Sequence, residues 1–233
     1  MFTILLVPIL YSVGLASHSN VITYTGAGNI TAIDFASAMF QMSQSMFIFN
    51  VILSAIVGRS LASEIENKSI RLYINRIGIR KLIYRGKELA LLLFSILTDI
   101  LLVLTSVVFY YTVLIHNPKV ASGTFYDSNV WVEIAQIICI SMFWLITIFL
   151  VMLMATKLKT LVCVGTYMIL YIIMNLVSYI DGIKYLSPLH YIAALSSDNS
   201  QITFSTILFF FHAICVGALF TCIGMHKIEK MDL

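Results

Sequence analysis

Charge is the first thing this sequence lacks. Only 11% of its 233 residues are Asp, Glu, Lys or Arg, while 60% are hydrophobic. A water-soluble domain carries about 25% charged residues, so a soluble globular fold is excluded, and the mean hydropathy of +0.97 agrees. Cysteine is scarce too. Cys139, Cys163, Cys215 and Cys222 all lie in apolar runs without C-x-x-C spacing. That excludes a disulfide framework or thiolate metal site and leaves them as small core residues. Catalytic motifs are missing. There is no G-x-x-x-x-G-K-[ST] loop, so the chain binds no ATP by that mechanism, and no H-E-x-x-H or G-x-S-x-G. No repeat of 20–50 residues appears. The absence of an inverted repeat and of paired broken helices argues against a secondary transporter, which stays an alternative.

What is there is a series of apolar runs. Each is too long for a barrel strand and none alternates, so each predicts a helix that satisfies its own backbone in lipid. At about 20 residues per crossing, six spans are expected at about 1–17, 36–58, 88–115, 132–155, 160–179 and 202–225. The expected fold class is therefore all-α: one polytopic transmembrane domain over 1–233. The first run has no basic leader and no clear cleavage site, so it reads as a span that begins inside its apolar stretch rather than a signal peptide. Residues His18 to Asp34 form a polar loop.

Lys and Arg are unevenly distributed. Eight fall between Arg59 and Lys87, with Lys157, Lys159, Lys227 and Lys230 on the same predicted side; only Lys119 and Lys184 fall on the other. The positive-inside rule then places both termini and the basic loop in the cytoplasm of a multi-pass plasma-membrane protein. Tyr110, Tyr111, Trp131, Tyr179, Tyr185 and Tyr191 fall near the predicted outer ends, where amphipathic rings favour the headgroup layer.

Polar residues inside the runs are the candidates for function. Asp99 sits near the middle of the third run, where a charge costs roughly 2.5–3.5 kcal/mol on insertion scales. It is either a substrate-path or gating residue or a structural hydrogen-bonding group, and it has no second mid-membrane Asp with which to form a catalytic dyad. His212 lies at similar depth in the sixth run. Gln41, Gln44 and Asn50 recur close to one helical face of the second run, for a path or for interhelical hydrogen bonds. Met39, Phe40, Met42, Met46, Phe47 and Phe49 could line an adaptable path for an amphipathic substrate, but a lipid-facing surface, the commoner case, has the same composition.

The charged segment from Arg59 to Lys87 predicts a cytoplasmic helix. Ser60 or Ser63 is placed to cap it, Glu64 and Glu66 suit its first turns, and Gly78 is placed to end it. Leu61, Ile65 and Leu72 share one side of a helical wheel, and Ile70, Ile74 and Ile77 lie roughly opposite. A membrane-surface helix needs one apolar stripe; two suit a helix held between the bundle and a partner's groove. The alternative is an ordinary positive-inside loop, with Arg80, Lys81, Arg85 and Lys87 meeting anionic lipid heads.

The same segment resembles the signature of the ABC-2 type transporter permeases. Glu64 stands at the family's acidic position and Lys68-Ser69-Ile70 where Gly-Thr-Leu is usual. Leu72-Tyr73-Ile74 matches the apolar stretch, Arg80 the Arg, and Gly86-Lys87 the Gly-Lys before the third span. Lys68 for Gly and Ile77 for Pro depart from the pattern, as does a start inside the first span, where the family has an interfacial helix. The layout agrees over almost the whole chain, and Ser187-Pro188-Leu189-His190-Tyr191 resembles the family's partly inserted outer hairpin before helix six. The resemblance implies a coupling helix between the second and third spans. An ABC ATPase subunit would dock on Glu64, Ile65, Ser69, Ile70, Leu72, Tyr73, Ile74, Ile77 and Arg80. It implies a second permease chain, identical or not, and ATP and Mg on the ATPase, with no cofactor on this chain and no nucleic-acid partner. By analogy with small bacterial relatives, the substrate is an amphipathic molecule such as an antimicrobial or toxin peptide. A permease-like subunit that senses or assembles without transporting is the second reading.

Overall fold

The structure is a computed structural model that describes residues 2–16, 30–117, 120–127, 130–197 and 202–230. Of the expected polar loop from His18 to Asp34, residues 18–29 lie outside the described residues, as does Lys119, and Ala32 to Asp34 are not loop but the first turn of a helix capped by Thr31. Helices run over α1 (Phe2–Ala16), α2 (Ala32–Ser45), α3 (Phe47–Glu66), α4 (Ile70–Ile77), α5 (Arg80–Thr112), α6 (Val130–Ala155), α7 (Thr160–Val177), α8 (Pro188–Ser197) and α9 (Ile202–Glu229). Short 3-10 turns cover Leu114–His116 and Lys184–Leu186, and no strand forms among the described residues. Five helices are long and apolar enough to cross a membrane: Phe47–Glu66, Arg80–His116, Val130–Ala155, Thr160–Val177 and Thr206–Glu229. The chain is a helical, polytopic membrane protein by that measure. The 15 residues of α1 are apolar but shorter than those five helices.

The expected second span is two helices. α2 stops at Met46, whose ψ of 108° is extended, and α3 begins at the next residue. No Gly or Pro marks the break. Ser45 Oγ donates to the Met42 carbonyl at 3.0 Å, the back-bonding by which Ser competes with the helical ladder. α3 then runs eight residues past the expected end at 58. Ser60 and Ser63 do not cap a new helix there: their hydroxyls donate backwards to the Val57 and Arg59 carbonyls. Gln41 and Gln44 thus lie on α2 and Asn50 on α3, so they share no helical face.

The chain divides into two compact units, Met1–Met46 with Ile96–Ile140, and Phe47–Ser95 with Ser141–Leu233. In the first, Phe35, Met39, Phe40, Leu102 and Tyr110 are almost wholly buried. The Tyr110 hydroxyl donates to the Ile30 carbonyl at 2.8 Å and accepts the Gly123 N–H at 3.0 Å. Tyr110 is therefore a core anchor, not a headgroup-facing ring; its second role as an acceptor is invisible in the sequence. Thr31 and Asp34 form a capping box at the start of α2, and Asn117 donates to the Leu15 carbonyl at 3.3 Å.

In the second unit α3 packs along α7. Cys163 Sγ lies 3.8 Å from where a Cβ on Gly58 would stand, and the Thr147 and Tyr167 hydroxyls meet at 2.9 Å. Tyr191, also expected at the headgroup layer, is buried, with its ring centroid 5.7 Å from Phe209. Trp131, Tyr179 and Tyr185 are exposed. Cys139 and Cys163 are core residues as expected, but Cys215 and Cys222 face outward on α9.

Candidate coupling segment

The segment between α3 and α5 is held by one lysine. Lys87 Nζ lies 2.5 Å from Glu64 Oε1, donates to the Ser60 carbonyl at 2.7 Å, and sits 5.8 Å from the Tyr73 ring centroid. Both charged side chains are largely enclosed, at 20% and 25% exposure, so the pair is screened less than a surface ion pair. The first and last residues of the sequence signature, 23 positions apart, therefore touch. One cation ties together the end of α3, the exposed ring of α4 and the start of α5.

Between them the chain turns at Lys68, the one non-glycine with positive φ (56°) among the described residues. That conformation suits Gly and costs other residues about 1–2 kcal/mol. The expected single helix from Ser60 to Ile77 is therefore broken into the tail of α3 and the short α4. Ser69 Oγ donates to the Glu64 carbonyl at 3.3 Å, and Gly78 closes α4 in the left-handed region at φ 75°, as its sequence position predicts.

The break rearranges the apolar stripes. Ile70 is 1% exposed and Ile74 half-buried, so both belong to the protein's own packing, together with Leu61 and the half-buried Ile65. The free apolar face is Leu72, Tyr73 and Ile77, at 73%, 48% and 42% exposure, continued by Ile79 and Leu82. Leu72 thus changes sides relative to the wheel. Arg80 donates to the Glu229 carbonyl at 3.3 Å, Lys81 pairs with Glu229 at 3.0 Å, and Thr160 donates to Glu66 at 3.1 Å. These bonds gather the end of α3 and starts of α5 and α7 with the end of α9. The segments carrying twelve of the 14 Lys and Arg residues come together at one end of this unit.

The other candidates are separately placed. Asp99 lies on the part of α5 in the first unit, half-buried with Oδ1 enclosed. His212 lies on α9 in the second unit, half-buried, with the Tyr191 ring 6.4 Å away. Gln41 donates to Gln136 Oε1 at 2.6 Å, which favours the interhelical hydrogen bond over a path role. Gln44 is buried.

Two polar clusters escaped the sequence reading. Glu88, taken as a span boundary, is buried and accepts a 2.6 Å hydrogen bond from Thr221. Beside it, Tyr84 is fully buried against Gly224, where a Cβ would fall on the ring's hydroxyl end. The signal in the sequence was an ionisable residue at a span end. Glu133, in the first turn of α6, is hydrogen-bonded to Asp34. Burial pushes the Asp34 carboxyl up, but hydrogen bonds from Glu133 and from the Thr31 N–H and hydroxyl outweigh it and hold Asp34 below the usual carboxylate range.

No protein-family model matches the chain, and no curated protein or solved structure matches it significantly.

Proposed function

We propose that this chain is the membrane-spanning subunit of an ATP-driven exporter of the ABC-2 type, and that α4 is its coupling helix. The observation that carries this is an exposed apolar face, Leu72, Tyr73 and Ile77, on a short helix fixed to the bundle by the Lys87–Glu64 pair. An eight-residue helix this exposed gains little from its own packing. A partner groove that buries the three side chains explains their composition, with Arg71 and Arg76 as exposed charges beside them. The basic end of the second unit lies in the cytoplasm, where ATP is, with ATP and Mg held by the docked ATPase. A second permease chain completes the path, and the cargo is an amphipathic molecule such as an antimicrobial or toxin peptide. Asp99 and His212 are its gating candidates.

The test uses the tagged full-length chain purified from its native membranes. Leu72→Asp with Ile77→Asp releases a copurifying ATPase while the chain stays folded in the membrane. Undiminished ATPase recovery with that double variant overturns the assignment. Ile70→Asp is unsuitable, because burying a charge there unfolds α4 whatever its partner.

A further inference from the structure

Two cavities meet on the second unit. A groove of about 460 Å³ runs between α6 and α9, walled by Leu145, Phe149, Phe210, Ile214 and Ala218. Its floor is close because Gly217 lets Phe149 lie flat on α9: a Cβ at Gly217 would stand 2.9 Å from the ring. A second cavity, of about 500 Å³, is lined by Lys81, Arg85, Met225 and His226. Arg85 and Cys222 line both. Arg85 and Cys222 thus stand between an apolar groove and a basic cavity at the end where the cations gather.

Arg85 is the key group of that cavity. It is exposed, its Nε–H donates only to the Met225 sulfur at 3.2 Å, and no carboxylate among the described residues lies within ion-pair distance. Lys81, by contrast, is paired with Glu229. Glu88, three residues on along α5, feels the Arg85 charge without forming an ion pair with it, and accepts its hydrogen bond from Thr221. Arg85 therefore keeps a fork of donors for an anion, and a guanidinium fork matches phosphate geometry.

We infer that the apolar groove and the basic cavity beside it form a binding site for an anionic phospholipid, its phosphate on Arg85 and one acyl chain along α9. Charge complementarity selects this occupant. A zwitterionic lipid brings a second cation beside the unpaired Arg85, and a free phosphate leaves the apolar groove empty. The site depends on the chain lying in a bilayer and not on its docking an ATPase.

The test is native mass spectrometry of the detergent-purified full chain with phosphatidylglycerol or phosphatidylcholine of identical acyl chains. The wild type retains phosphatidylglycerol about fivefold better, the effect of one cation at a membrane surface. Arg85→Gln brings the ratio near one, Arg85→Lys keeps part of it, and Ala218→Trp, which fills the groove from an exposed position, lowers retention of both lipids. Glycerol phosphate without chains displaces nothing. Equal retention of the two lipids by the wild type overturns the proposal without any variant. So does a preference unchanged in Arg85→Gln, or a groove closed by a second copy, seen as Ala218→Trp dissociating a dimer while lipid retention stays the same.

Discussion

Two residues in the left-handed region bracket α4, and they should respond to substitution with opposite sign. Lys68 has φ 56° and Gly78 φ 75°. A Cβ at Gly78 meets nothing within 4 Å, so the cost of Gly78→Ala is conformational alone, about 1–2 kcal/mol. At Lys68 the same strain is already present. Lys68→Gly removes it, but Gly gains freedom in the unfolded chain that offsets about 0.4–1 kcal/mol, leaving a net gain of about 0.5–1 kcal/mol. Because α4 is short and exposed, the effect is local. Amide hydrogen exchange over residues 70–77 reads it better than global melting. At about 1.4 kcal/mol per tenfold, Gly78→Ala should lower protection roughly 5- to 30-fold, and Lys68→Gly should raise it roughly 2- to 5-fold. Lys68→Ala, which keeps the Cβ, should change little. If Lys68→Gly lowers protection, or matches Lys68→Ala, the turn is not strained and the account of why α4 is a separate helix is wrong.

Gly224→Ala forces a Cβ onto the hydroxyl of the buried Tyr84 and to 2.5 Å from its Cζ; thermal unfolding in detergent should show a loss of about 1–3 kcal/mol, and wild-type stability would refute the packing described. Asp34→Ala removes half of the capping box and should cost about 1 kcal/mol. Since the folded Asp34 carboxyl lies below its ordinary value, its contribution is fully present above the unfolded value of about 3.9 and is lost as pH falls through the lower folded value. Melting of wild type against Asp34→Ala should therefore converge only in strong acid. For orientation, a cysteine at Asn67 should be protected from an impermeant maleimide in sealed cells and one at Thr124 should react, in a background lacking the exposed Cys215 and Cys222; labelling at Asn67 would reverse the topology.

Composition and run length made the helical membrane class legible, because a bilayer imposes both on any crossing segment. Gly78 was legible for a local reason, since few residues other than Gly close a helix in the left-handed region. The break at Met46 was not, because a serine bonding backwards at Ser45 leaves no breaker in the sequence. Nor was the division of the charged segment, where the turn is made by a lysine. That one turn decides which isoleucines are buried, so the helical wheel grouped Leu72 with Leu61 and Ile65, and Ile77 with Ile70 and Ile74, where the structure exposes Leu72 and Ile77 together. The Lys87–Glu64 contact was legible only as two separate positions of a resemblance. Pairs such as Gln41 with Gln136, and Glu88 with Thr221, depend on interhelical register, which hydropathy does not encode.

The central claim is that the exposed face of α4 meets an ATPase. A photo-crosslinking amino acid placed at Tyr73 in living cells tests it directly, with Leu186 as an exposed control position. The expected result is one protein adduct from position 73, absent from position 186, whose partner carries a G-x-x-x-x-G-K-[ST] loop. Adducts from position 73 only to lipid, or to the chain itself, would contradict the account.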